Sequence, residues 1–237
     1  MSMDGRRWQV LAAIVGNGGL INAVDTARRV CEYSARRVGA SDSAISLMSS
    51  TSVVHVVAAI GDHHGVLPDT QFTLGEGPCL DAYRTCEVVA VSDLEQLDPS
   101  RWPGFSVVAL EAGVRSVTSI PLQACGAAIG SLDLTWGTPA VLADDALTDL
   151  LLAAEVATNA ILLLQSSSDG QDQLAGLLGD DGRGSMAVHQ ATGFLSSQLD
   201  ITLDDALALL RAHALANGRS LYQLARDIVA GTVRLEP

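Results

Sequence analysis

Residues Val114–Trp136 read VRSVTSIPLQACGAAIGSLDLTW. Two short apolar runs, VRSVTSIPLQ and AAIGSLDLTW, flank the turn-like Ala124-Cys125-Gly126, which reads as a closing β-hairpin. Upstream, SAISLMSS (43–50) and SVVHVVAAIG (52–61) are β-branched, short and bounded by Ser and Thr, so a second antiparallel pair is expected there. Between the pairs, Gly75, Gly77 and Pro78 punctuate a loop before a short helix, EVVAVSD (87–93) returns to strand, and DPSRWPGFSVVALEAG (98–113) reads as loop into helix. Helical spacing governs both ends: RRWQVLAAIV (6–15), then Leu20, Val24, Ala27, Val30, Cys31 and Ala35 before the first strands, and a long helix after Trp136. This order predicts an α+β domain, an antiparallel sheet covered by helices.

The helix after Trp136 places Leu147, Leu150, Ala154, Ala157, Ile161 and Leu164 at alternating spacings of three and four. That is a narrow seam of the coiled-coil kind, and it predicts a homodimer in preference to packing on the chain's own sheet, although a lone amphipathic helix gives a similar pattern.

Of 237 residues, 48% are hydrophobic and 17% charged, enough apolar side chain for a buried core and incompatible with disorder over most of the length. The longest apolar run, Leu151–Leu164, is broken by Glu155, Thr158 and Asn159. The N-terminus MSMDGRRWQV has no continuous apolar segment before a cleavage site. Neither suggests a membrane span or export, so a cytoplasmic protein is expected. Cys31, Cys79, Cys86 and Cys125 lie at wide intervals without a paired spacing and read as free thiols. His63-His64, in a Gly/Asp-rich turn between two strands, reads as solvated loop histidines, so neither metal nor cofactor is expected. No catalytic set emerges. Cys79 is the best candidate for chemistry, because a helix N-terminus beside Gly75 and Gly77 would lower a thiol pKa.

The net charge is −13, and all 14 basic residues are arginine. Yet RAHALANGRSLYQLARDIV (Arg211–Val229) carries three arginines against one aspartate. Three helical segments precede or include it. SMAVHQATGFLSSQL aligns Val188, Ala191, Leu195 and Leu199; TLDDALALLRAHA opens with Thr202 and Asp205 as a capping-box variant; NGRSLYQLARDIVAG places Ser220 and Gln223 as a second such box. The apolar stripes close a three-helix core and leave Arg211, His213, Asn217, Arg219, Gln223 and Arg226 outside it, either as a solvated face or as contacts for phosphates and base edges.

HQATGFLSSQLDITLDDALALLRAHALANGRSLYQLARDIV (189–229) resembles an ANTAR domain, the RNA-binding antitermination module of bacterial regulators. Gln190, Ala191 and Gly193 fit its first block, Asp205, Ala206, Leu209, Leu210 and Arg211 its second, and Asn217, Arg219, Leu221, Ala225, Ile228 and Val229 its third. Thr192 stands where the family usually has lysine, and Gly218 separates Asn217 from Arg219. The resemblance implies an RNA-binding set of Gln190, Thr192, Arg211, His213, Asn217, Arg219, Gln223 and Arg226, with a tandem-hairpin leader RNA as partner. LGEGPCLDAYRT, VSDL, RWPGF, GVRSVTSIPLQ and IGSLDL are similar to a GAF sensory domain of the actinobacterial type, in keeping with an arginine-only composition. That resemblance implies a small-molecule pocket rimmed by Glu76, Cys79, Asp81, Trp102, Phe105 and Arg115, its ligand unspecified. The expected organisation is a GAF sensory domain at 1–165, a linker and helix extension at 166–180, and an ANTAR domain at 181–237. Together they describe a non-enzymatic antitermination regulator. The alternative is a small-molecule or thiol-redox sensor whose terminal bundle binds a protein partner.

Overall fold

The computed structural model describes residues 3–16, 22–49, 52–62, 66–165 and 179–235. The N-terminal region runs α1 (Met3–Val15), α2 (Ala23–Val38), β1 (Asp42–Ser49), β2 (Ser52–Ile60), α3 (Val66–Leu74), α4 (Pro78–Thr85), β3 (Val89–Val91), α5 (Pro103–Glu111), β4 (Ser116–Ala124), β5 (Ala127–Trp136) and α6 (Asp144–Gln165). Three helices follow: α7 (Gly179–Leu199), α8 (Leu203–Ala216) and α9 (Leu221–Val229). The architecture is the expected α+β class. One element was not anticipated: α3, whose Pro68 falls in the first turn, where a missing N–H costs nothing. His63-His64 lie outside the described residues, but the segment holding them joins a strand to a helix rather than two strands.

The five strands pair antiparallel throughout in the order β2-β1-β5-β4-β3, with the Val114–Trp136 hairpin supplying β4 and β5. In β5 the alternation is complete. Leu132 and Leu134 point to one face, where they join Ile45, Leu47, Ile120 and Leu122 under α2 and α6; Ser131, Asp133 and Thr135 therefore point to the other. Burying each of these Leu and Ile side chains contributes about 1.5–3 kcal/mol. Gly130 lets β1 and β5 pair, since a Cβ there would sit 2.1 Å from the Ser46 carbonyl oxygen.

The apolar seam of α6 is used inside this core. Leu150, Ala154, Ala157 and Ile161 are all buried against α2 and β4, so the seam expected to dimerise instead covers the chain's own sheet; the Leu164 side chain lies outside the described residues. An ionic knot secures the same layer: Asp149 of α6 accepts from Arg6 Nε of α1 (2.5 Å) and Arg37 Nε of α2 (2.6 Å). Both guanidinium groups hold the Asp149 carboxyl below its ordinary pKa. Of the expected linker, 166–178 lies outside the described residues.

Candidate nucleic-acid interface and sensory cavity

The helical bundle closes on Val188, Ala191, Leu195, Ala206, Leu207, Leu210, Ala214, Leu221, Leu224, Ala225 and Ile228, all buried. Thr202 caps α8: its Oγ1 accepts from the Asp205 amide at 3.1 Å and donates to Asp205 Oδ2 at 2.7 Å. The second box expected at Ser220 does not form, since the Ser220 side chain makes no cap hydrogen bond. Gly218, at φ 57°, turns the chain between α8 and α9.

The eight candidate RNA contacts divide into groups with different surroundings. Gln190, Asn217, Gln223 and Arg226 are exposed. Arg219 is half-buried and paired with Asp227, and Asn217 Nδ2 donates to the His213 carbonyl at 2.8 Å. Thr192 is buried, its hydroxyl donating to the Val188 carbonyl at 2.7 Å, so it presents nothing to a ligand where the family carries a cation. Arg211 faces away from solvent and into the N-terminal domain: Nε donates to the Phe72 carbonyl at 3.1 Å and the guanidinium sits 5.7 Å from the Phe72 ring centre. Phe72 also stacks on Tyr222 of α9 with ring centres 5.1 Å apart, so α3 is the dock on which the bundle rests. Phe194 escaped the sequence reading. It is 52% exposed, whereas Phe72 and Phe105 are fully buried, and it shares a helix face with Gln190 four residues earlier.

Beneath α3, α4 and α5 the polar face of the sheet encloses a cavity of about 30 Å³, lined by Gln71 and Pro78 above and by Ser119, Asp133 and Thr135 below. Asp133 is its chemical centre. Its carboxylate accepts from Ser119 Oγ (2.5 Å) and Ser131 Oγ (2.9 Å), yet burial raises its pKa to about 6. Asp42, which is buried, accepts from Thr135 Oγ1 at 3.2 Å. Ser46 Oγ, on the strand position opposite Ser131, is buried without a hydrogen-bond partner among the described residues. Leu67, Pro68, Phe105 and Val117 add apolar lining around these polar groups.

Of the six residues expected to rim a pocket, Phe105 lines this cavity. The others hold the scaffold around it. Glu76 Oε1 accepts from the Gly104 and Phe105 amides and so caps α5 from a distance. Asp81 accepts from Trp102 Nε1 at 3.0 Å, and Arg115 pairs with Asp93 and Glu95 at the sheet edge. Cys79 is almost wholly buried, and burial pushes its thiol well above the ordinary value. The lowered thiol pKa expected of a helix N-terminus is thus overturned, because desolvation of the thiolate outweighs the helix field. Among the described residues no cluster of three metal-ligating side chains occurs.

No curated protein matches the chain. Among solved structures, the GAF domain of an Acinetobacter phosphoenolpyruvate-protein phosphotransferase is 13% identical, with a TM-score of 0.54 over 70% of this chain and 98% of that one. The corresponding GAF domain from Coxiella burnetii is 16% identical, with a TM-score of 0.51 over 69% of this chain and 95% of that one. At these identities the likeness is one of fold. A family model described as ANTAR domain matches residues 183–229, the three-helix bundle. A model described as GAF domain matches residues 22–162, more than half of the chain, which therefore belongs to the GAF domain family and carries an ANTAR domain behind it.

Proposed function

We propose that the chain is a cytoplasmic, non-catalytic regulator that binds hairpin RNA in leader transcripts through its ANTAR domain and favours transcription past a terminator, under control of its GAF domain. One observation carries this reading: the ANTAR match coincides with a closed three-helix bundle that presents Gln190, Asn217, Gln223 and Arg226 to solvent. Amide and guanidinium groups on a rigid helical surface suit base edges and phosphates. In this reading the GAF cavity around Asp133 receives the controlling small molecule. The regulator works as a homodimer, and because the α6 seam is buried in its own core, the second copy meets outward side chains such as Leu151 and Trp8, both exposed.

The test is a titration of the full chain with RNA carrying two tandem hexaloop hairpins, at two salt concentrations, beside a Gln223→Ala, Arg226→Ala double variant. Wild type binds more weakly as salt rises, each phosphate contact adding about 0.7 to the logarithmic slope, and the variant loses at least tenfold in affinity. Affinity that is unchanged in the variant, or that ignores salt, refutes the interface.

A further inference from the structure

Two guanidinium groups approach Gly75, one from each domain. Arg211 of α8 lies so close that a Cβ on Gly75 would stand 2.8 Å from its Nη1 and 3.1 Å from its Cζ; the absent side chain and the left-handed backbone at φ 72° are what admit the fork. From α4, Arg84 Nη2 reaches the Gly75 carbonyl at 3.4 Å. Neither guanidinium has a carboxylate nearer than 3.9 Å among the described residues. Among the described residues no carboxylate forms an ion pair with Arg211, whose hydrogen bond to the Phe72 carbonyl satisfies only Nε. Arg84 has only Asp81, at 3.9 Å, and that carboxylate is shared with Trp102 Nε1 and Arg101.

This is an unusual place to leave two positive charges together. The chain has 27 acidic residues for 14 arginines, and several arginines are closely paired with them, as Arg6 and Arg37 are with Asp149. Burial, and next the charge of Arg84, pull the Arg211 pKa below its ordinary value, so the contact is electrostatically unfavourable as it stands. Planar guanidinium forks match tetrahedral and planar oxyanions bidentately, and a group accepting from both would turn the repulsion into a bridge.

We propose that Arg84 and Arg211 form a two-guanidinium site for a small phosphate-bearing molecule at the junction of the GAF and ANTAR domains. A bound phosphate ties α8 to α4 and holds Arg211 on the GAF side. The binding step stands apart from the RNA reading; its effect on RNA, through the Arg211 that the ANTAR pattern would assign to RNA, rests on it.

Inorganic phosphate is the probe, titrated calorimetrically into the full chain at ionic strength held constant with chloride. Wild type shows saturable binding to one site, and Arg84→Gln, a change on an exposed side chain that leaves the unfolding temperature in place, weakens it at least tenfold. Absence of binding in wild type, or equal binding in the variant, overturns the proposal. A parallel RNA titration with and without phosphate separates the two readings. Phosphate that weakens RNA binding in wild type but not in Arg84→Gln supports a free-anion site coupled to the RNA face. Should no protein bind the RNA, the RNA reading falls while the calorimetric result still decides the anion site.

Discussion

Replacing Asp133 by Asn removes a half-buried charge from the cavity lining without changing the cavity's shape. The side chain can still accept from one of the two serine hydroxyls and donate to the other. In the folded protein the Asp133 pKa is about 6 against an ordinary 3.8, because burial disfavours the carboxylate. A folded-state pKa raised in an acid means that the native state holds its proton longer than the unfolded state does. The cost of ionisation is therefore absent below pH 3.8, grows as pH rises, and is complete above pH 6. The difference corresponds to about 3 kcal/mol, of which roughly half is already felt at pH 5. Urea unfolding at pH 5 and pH 8 reads the remainder: wild type loses stability across that interval, while Asp133→Asn loses less by about 1.5 kcal/mol and is the more stable protein at pH 8. Asp98, Asp145 and Asp149, whose pKa values are lowered, act below this window, and Cys31, pushed up to about 12 by burial, acts above it. The reasoning fails if the variant is less stable than wild type at pH 8, or if the two proteins share one pH dependence.

Other consequences follow from single contacts. Gly130→Ala forces a Cβ into the Ser46 carbonyl and destabilises by about 3 kcal/mol or more, visible as a fall in the thermal midpoint; a drop under 1 kcal/mol would mean that β1 and β5 separate easily. A thiol titration of the native chain at neutral pH modifies exposed Cys125 first and Cys86 more slowly, while Cys31 and Cys79 react only on unfolding. Rapid reaction of Cys79 would favour the alternative reading of a thiol-redox sensor.

Some of this was open to inspection in the sequence and some was closed to it for physical reasons. The Val114–Trp136 hairpin was legible because a turn between two short strand-like runs is a local signal, and so was the Thr202 cap. The α6 stripe announced a buried face, but spacing alone does not say whether a second chain or the chain's own sheet covers it. Charge candidates were sought in the loops around Gly75 and Gly77, whereas the carboxylate that matters sits inside a strand. A signal existed there: Ser131, Asp133 and Thr135 repeat at period two opposite Leu132 and Leu134, which marks a polar sheet face. Arg211 is the clearest limit. Its pattern of neighbours within α8 fits an RNA-binding motif, but its partner Phe72 lies 139 positions earlier, and no local pattern encodes that encounter.

The position of α3 connects these observations. Its Leu67, Pro68 and Gln71 roof the Asp133 cavity, Gln71 Oε1 binds the Cys79 amide of α4 at 2.8 Å, and its Phe72 carries Tyr222 and Arg211 of the ANTAR bundle. A cavity of about 30 Å³ admits little more than water. Of the elements lining the cavity, α3 is one that the bundle also contacts. If the proposed ligand displaces α3 on entering the cavity, it acts on the surface that holds Tyr222 and Arg211, and linkage then requires docking of the bundle to change ligand affinity by the factor with which the ligand changes docking.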